Sequence, residues 1–323
     1  MKGKLLIIGL LIIAIVLFSI DLSALVEALL KTDLALFGIG TLLGFLSVIV
    51  RSVKWHLMLR KQSHSFAFAR IARLYFIGIG LGTFTPGKLG DFSKALFINK
   101  KVHSLSESFS SVLLDRIVDF LVLVMLGILS AAFFFYSYGI SLISLPLLLL
   151  LAAGVIAGVY IMLHKELLKK ILKPFYSLLV PERFRERLRK SFGSFLSSFY
   201  SLLKDRSLLA AAFAIAIASW FFTAASYHFF ALSLGLGFPF LFILLSTVLI
   251  ELVSLIPVSV SGIGTRDAAL IVLFSVYSAS AESAVAFSLL ILLSTVIIAL
   301  AGLLMLSAEK AGLRELVGNE AKP

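Results

Sequence analysis

The chain has 323 residues, 60% of them hydrophobic and 14% charged, with a mean hydropathy of +1.10. Soluble domains carry charge at about 25% of positions, so this composition excludes one and predicts an all-α polytopic membrane protein. The absence of cysteine removes thiol chemistry and cysteine metal sites, while the net charge of +12 collects in loops on one predicted side.

Leu5–Ile20 follows Lys2 and Lys4 and is predicted as a first, uncleaved span that starts in the cytoplasm. Asp21–Asp33 holds one cation, Lys31, and reads as an outside loop. Leu34–Val53 returns inward to a side where Arg51, Lys54, Arg60, Lys61, Arg70 and Arg73 gather. Trp55 stands there as an interfacial aromatic.

Ile71–Thr85 is short for a span and is broken by Thr83–Ala95, TFTPGKLGDFSKA. Unpaired backbone and buried charge are costly in lipid, so such a segment is tolerated only against protein or a wet cavity. A hairpin that dips in from the cytoplasm and returns is predicted here. Leu113–Phe135 then crosses outward, opening with Asp115, Arg116 and Asp119. Either the acids suit a helix start, or they face the interior and pair with charges of the Pro86 loop.

Ile140–Leu163 returns inward to the polar segment 164–206, which holds eleven Lys or Arg against four acids. After Pro181, the residues Phe184, Leu188, Phe192, Phe195, Leu196 and Phe199 recur at helical spacing. That predicts an amphipathic helix lying on an anionic leaflet rather than a nucleic-acid arm. Ser207–Ser233 crosses outward and Phe240–Ile256 returns to a second break, Ile256–Ala269, IPVSVSGIGTRDAA. Arg266–Tyr277 is predicted helical, and Ala284–Leu306 crosses inward to a cytoplasmic C-terminus.

The result is six spans plus two broken helix pairs, or eight spans if both pairs cross. Each half reads span, span, broken pair, span. Residues 1–135 start from the cytoplasm and 136–323 from outside, which predicts inverted repeats with breaks around 83–95 and 256–269. Paired interruptions of this kind point to a midplane binding site.

Gly87, Gly90, Gly262 and Gly264 allow close backbone approach, and half-helices starting at Lys88–Asp91 and Arg266–Asp267 would aim N–H groups at an anion. Lys88, Lys94, Arg116 and Arg266 add positive charge suited to a phosphate-bearing headgroup. Asp91, Asp115, Asp119, Glu251 and Asp267 are expected to pair with them or to carry coupling protons. The alternative is that these charges only pair with one another to hold the loops. No dinucleotide, Walker or nucleophile-elbow motif is complete, and His56, His64, His103, His164 and His228 offer no ligand pair. No cofactor or metal is expected.

PGKLGD, LLDRIVD and SGIGTRDAA, with the Arg51…Trp55 pair, together resemble the lysylphosphatidylglycerol synthase transmembrane-region family. That family is also called flippase-like or UPF0104, and the resemblance covers nearly the whole chain. The family pattern is usually PGR-x-G-E, so Lys88 and Asp91 are departures, and Asp267 stands where glutamate is common. The resemblance implies a stand-alone lipid-handling membrane protein that lacks the synthase's cytosolic acyltransferase domain. Its expected partners are membrane lipids, phospholipid or polyprenyl phosphate, with self-association or an envelope-enzyme partner left open. A lipid translocase is the leading expectation. An intramembrane transferase using Asp91 or Asp115 as base, and a non-catalytic partner subunit, are the alternatives.

Overall fold

The computed structural model describes residues 21–62, 66–83, 85–98, 105–139, 145–164, 166–171, 174, 192–254 and 264–318. The expected first span Leu5–Ile20, the core of the second break with Pro257 and Gly262, and residues 175–191 of the basic segment lie outside them. Every regular element among the described residues is helical: α1 Leu22–Leu30, α2 Leu34–Lys61, α3 Phe68–Thr83, a 3-10 helix Pro86–Phe97, α4 Leu105–Tyr138 and α5 Leu145–Leu163. After these come α6 Phe192–Lys204, α7 Arg206–Ser233, α8 Phe240–Ser254, α9 Thr265–Phe274 and α10 Ala281–Gly318. Helices α2, α4, α7 and α10 are long and apolar enough to cross a bilayer. This is an all-α membrane protein.

Local chemistry sets the helix ends. Asp33 Oδ1 accepts the amides of Ala35 and Leu36 at 2.8 and 3.0 Å and starts α2. At the end of α7 the amides of Gly235 and Leu236 reach back to the carbonyls of Leu232 and Ala231, with Gly235 at φ 72°. That paired closure needs a left-handed residue, which glycine supplies without strain.

Three boundaries differ from the sequence expectation. The supposed outside loop contains α1, because Asp21 Oδ1 accepts from the amides of Ser23 and Ala24 and caps an apolar turn sequence. Helix α2 continues past Val53 to Lys61, so Lys54 and Trp55 are helical residues, and both are fully buried. Helix α4 begins at Leu105 with Glu107 in its first turn. Asp115 is thus well inside the helix, and the macrodipole does not account for it.

The chain folds into two compact units. One takes residues from Met1–Ser47, Val122–Ala152 and Ile217–Ile297. Its core is aromatic: Phe134 meets Phe242, Phe238 and Phe274 lie 4.6 Å apart, and Phe274 meets Phe287 at 5.1 Å. Edge-to-face and tilted rings like these add to the area they bury.

The other unit takes residues from Val48–Leu121, Ala153–Ala216 and Ile298–Pro323. Here α3 and the 3-10 helix form a hairpin. With 16 residues at 1.5 Å and 12 at 2.0 Å, each arm is about 24 Å long, short of a hydrocarbon core of about 30 Å. Glycine makes the close approach. A Cβ on Gly90 would fall 2.3 Å from the Leu81 carbonyl oxygen, and one on Gly78 would fall 2.7 Å from Asp91 Oδ1. Another face of α3 packs through Gly80 onto α10, where a Cβ on Gly302 would meet the Phe76 carbonyl oxygen at 2.1 Å. Small residues are the usual means of bringing membrane backbones this near.

Helix α6 corrects the leaflet expectation for its own stretch. Phe195, Leu196, Phe199 and Leu202 are buried in protein. Ser198 Oγ accepts from Gln62 Nε2 at 2.7 Å and lies 3.0 Å from Ser110 Oγ. A lipid surface offers neither that packing nor those polar partners.

Candidate functional site

The hairpin places a chain of charges in the interior of the second unit. The Lys54 ammonium lies 3.1 Å from Asp115 Oδ1, 3.0 Å from the Asp115 carbonyl oxygen and in ion-pair contact with Asp119. Lys94 Nζ is 2.9 Å from Asp115 Oδ2 and 3.6 Å from Asp91 Oδ2. Asp91 in turn contacts the Arg116 guanidinium, and Arg51 adds its charge near Asp119. Lys54, Lys94 and Asp115 have no exposed side-chain area, whereas Arg116 is 28% exposed.

Two aromatic rings enclose Lys94. Its ammonium sits 3.7 Å from the Tyr75 centroid and 5.1 Å from that of Trp55. The Tyr75 hydroxyl donates to Asp115 Oδ2 at 3.2 Å, and the Trp55 indole donates to Ser111 Oγ at 3.0 Å. A desolvated ammonium gains from ring faces as well as from its carboxylates.

In the first unit, Arg266 Nε donates to Ser288 Oγ at 2.8 Å and Nη2 to the Ser288 carbonyl at 3.1 Å. Ser288 Oγ bonds Asp267 Oδ1 as well. Gly264, at φ 93°, gives its amide to Asp267 Oδ2 at 2.8 Å. The chain's own carboxylate therefore caps the start of α9, taking an N–H that was expected to face an external anion. Glu251, on α8, accepts from the Tyr227 hydroxyl at 3.1 Å.

Residues 6–302 match the family described as lysylphosphatidylglycerol synthase TM region. The chain belongs to this family. A UPF0104 membrane protein of Pyrococcus horikoshii is 26% identical over 314 residues, spanning 90% of this chain and 91% of the relative. One from Methanothermobacter thermautotrophicus is 23% identical over 299 residues, 86% of this chain and 85% of its own. A third, from Methanocaldococcus jannaschii, is 27% identical over 213 residues, 65% of this chain and 85% of its own. No solved structure matches.

In this member of the lysylphosphatidylglycerol synthase TM-region family, the structure brings Asp91, Lys94, Asp115, Arg116 and Asp119 together. It pairs Arg266 with Asp267 through Ser288. Gly87 and Gly90 lie in the 3-10 helix, and Lys88 is exposed there at φ 55°. Gly262 is outside the described residues. Lys54, Tyr75 and Ser288 belong to these networks and escaped the sequence reading. The signal for Lys54 was its position one helical turn after Arg51 and beside Trp55, a run that reads as a cytoplasmic fringe until the helix is known to continue.

Proposed function

We propose that this protein moves a phosphate-bearing lipid, a phospholipid or a polyprenyl-phosphate-linked lipid, across the cell membrane. The observation that carries the reading is the buried charge cluster on a broken membrane hairpin, with Arg116 reaching from it to the surface. Ionisable residues inside a membrane segment mark substrate or ion pathways by default. The family's own description refers to a synthase of a phospholipid, which favours a lipid over a soluble anion.

In this reading Lys88 and Arg116 meet the headgroup, while Lys54 and Lys94 hold Asp115 and Asp119 in place behind them. The halves are inverted repeats, both termini are cytoplasmic, and access alternates as the broken segments move. Glu251, held by a phenol, carries a coupling proton.

The test is purified protein in liposomes with fluorescent phospholipids and a short-chain polyprenyl phosphate, beside Glu251→Gln and Arg116→Gln. Lipid movement that both variants lose is the expected outcome. Absence of movement for every lipid, with and without a proton gradient, overturns the translocase reading.

A further inference from the structure

Helices α2, α6 and α7 meet at a basic cleft that shares no residue with the buried charge network. The cleft is open, with a volume of about 510 Å³. It is lined by Lys61 at the end of α2, Ser201 and Lys204 in the last turn of α6, Asp205, and Arg206 at the start of α7. Its one carboxylate is already engaged. Asp205 Oδ2 holds Lys61 Nζ at 2.5 Å, and Oδ1 accepts the Leu208 amide at 2.9 Å. Lys204 and Arg206 are exposed, and neither side chain has an ion pair or hydrogen bond among the described residues.

The place of the cleft selects the anion. Helix α2 ends there and α7 begins there, and both are long and apolar enough to cross a bilayer, which sets the cleft at headgroup level. Ala210 and Ala214 are exposed and follow Arg206 by one and two turns, about 6 and 12 Å further along α7. Small and apolar, they leave a shallow track for an acyl chain directly beyond the guanidinium. On α6, Ser197, Ser201 and Lys204 share the exposed face, so hydroxyls stand beside the ammonium for the polar part of a headgroup. A soluble anion would use the cations but not the apolar track.

We propose that this cleft binds an anionic phospholipid of the surrounding leaflet, its phosphate on Lys204 and Arg206 and its acyl chain along Ala210 and Ala214. Basic clefts between membrane helices suit such headgroups, and the paired N–H donors of arginine match the phosphate oxygens. Asp205 caps α7 and fixes Lys61 at the edge of the cleft. None of these residues belongs to the hairpin. The bound lipid is therefore a resident that ties the end of α6 to the start of α7, not the cargo of the movement proposed above.

The experiment measures melting temperature and equilibrium binding of dioctanoyl phosphatidylglycerol for the full chain in detergent. Wild type is compared with Lys204→Gln/Arg206→Gln and with Lys169→Gln/Lys170→Gln, which removes two exposed lysines elsewhere in the same basic segment. Dioctanoyl phosphatidylcholine and inorganic phosphate serve as control ligands. Phosphatidylglycerol is expected to stabilise wild type, with affinity about tenfold weaker in Lys204→Gln/Arg206→Gln and unchanged in Lys169→Gln/Lys170→Gln. No binding by wild type overturns the proposal, and equal weakening in both double variants replaces the site with diffuse attraction. Phosphatidylcholine bound as tightly overturns the part played by charge, and inorganic phosphate bound as tightly overturns the lipid. Arg116→Gln should keep the stabilisation. Its loss there assigns the lipid to the hairpin and overturns the cleft. Lys204 and Arg206 are exposed, so their replacement should leave the lipid-free melting temperature unchanged. If that variant does not fold, Lys204→Gln alone decides: about threefold weaker binding is expected, and unchanged affinity overturns the proposal.

Discussion

Lys94 Nζ sits 2.9 Å from Asp115 Oδ2, and neither side chain has exposed area. Removing one partner of a buried pair costs about 3–5 kcal/mol when the other charge is left uncompensated, and Asp115 here keeps Lys54 at 3.1 Å, so the loss falls below that range. Lys94→Met is therefore expected to lower the melting temperature in detergent measurably. Adding Asp115→Asn should restore much of it, because Lys54 keeps Asp119 as its partner. A double variant no more stable than Lys94→Met refutes this coupling.

Lys88 carries strain that a stability assay can read. A branched-free but bulky residue at φ 55° costs about 1–2 kcal/mol, which glycine does not incur. Lys88→Gly is expected to raise the melting temperature while weakening phospholipid binding. That opposition of stability and binding is the mark of strain kept for function. A loss of stability in Lys88→Gly contradicts it.

The glycines separate into two groups by what a methyl would strike. Gly90→Ala and Gly302→Ala place Cβ 2.3 and 2.1 Å from backbone oxygens, which cannot give way as a flexible side chain can. Overpacking of this kind costs about 1–3 kcal/mol or more, with the hairpin and α10 forced apart. Gly154→Ala and Gly158→Ala meet nothing within 4 Å and should leave the melting temperature unchanged or slightly raised. Equal losses at all four sites count against close backbone packing as the reason.

The sequence made the broken hairpin visible because lipid admits so few ways to place Pro86, Lys88 and Asp91. The end of α7 at Ser233 and the start of α8 at Phe240 were legible for a similar reason, since the uncharged LGLGFP turn lies between them. What stayed hidden was depth. Lys54 and Trp55 read as a basic, aromatic fringe, and only the uninterrupted run of α2 to Lys61 carries them inside. Asp115 had two open readings, and the ten residues of α4 that precede it decide for the interior pairing. The partner of Arg266 was illegible: Ser288 lies 22 residues away, and serine in an apolar helix gives no sign of which guanidinium it will meet.

The last prediction concerns the pair that ties the end of α2 to the start of α7. Lys61 Nζ lies 2.5 Å from Asp205 Oδ2, and Asp205 Oδ1 accepts the amide of Leu208 at 2.9 Å. The hydrogen bond from Lys61, with the Leu208 amide beside it, holds the Asp205 carboxyl below the usual carboxylate range. A depressed pKa in the folded state adds stability that is fully present above the unfolded value, near about 3.9, and is lost as pH falls through the folded value. The melting-temperature difference between wild type and Asp205→Ala should therefore be small but constant from pH 7 to pH 5. It should shrink below about pH 4, as the wild-type carboxyl protonates. The pair is open to solvent, so added salt should also narrow the difference. A difference indifferent to both acid and salt means that Asp205 acts through its shape as a cap, not through its charge.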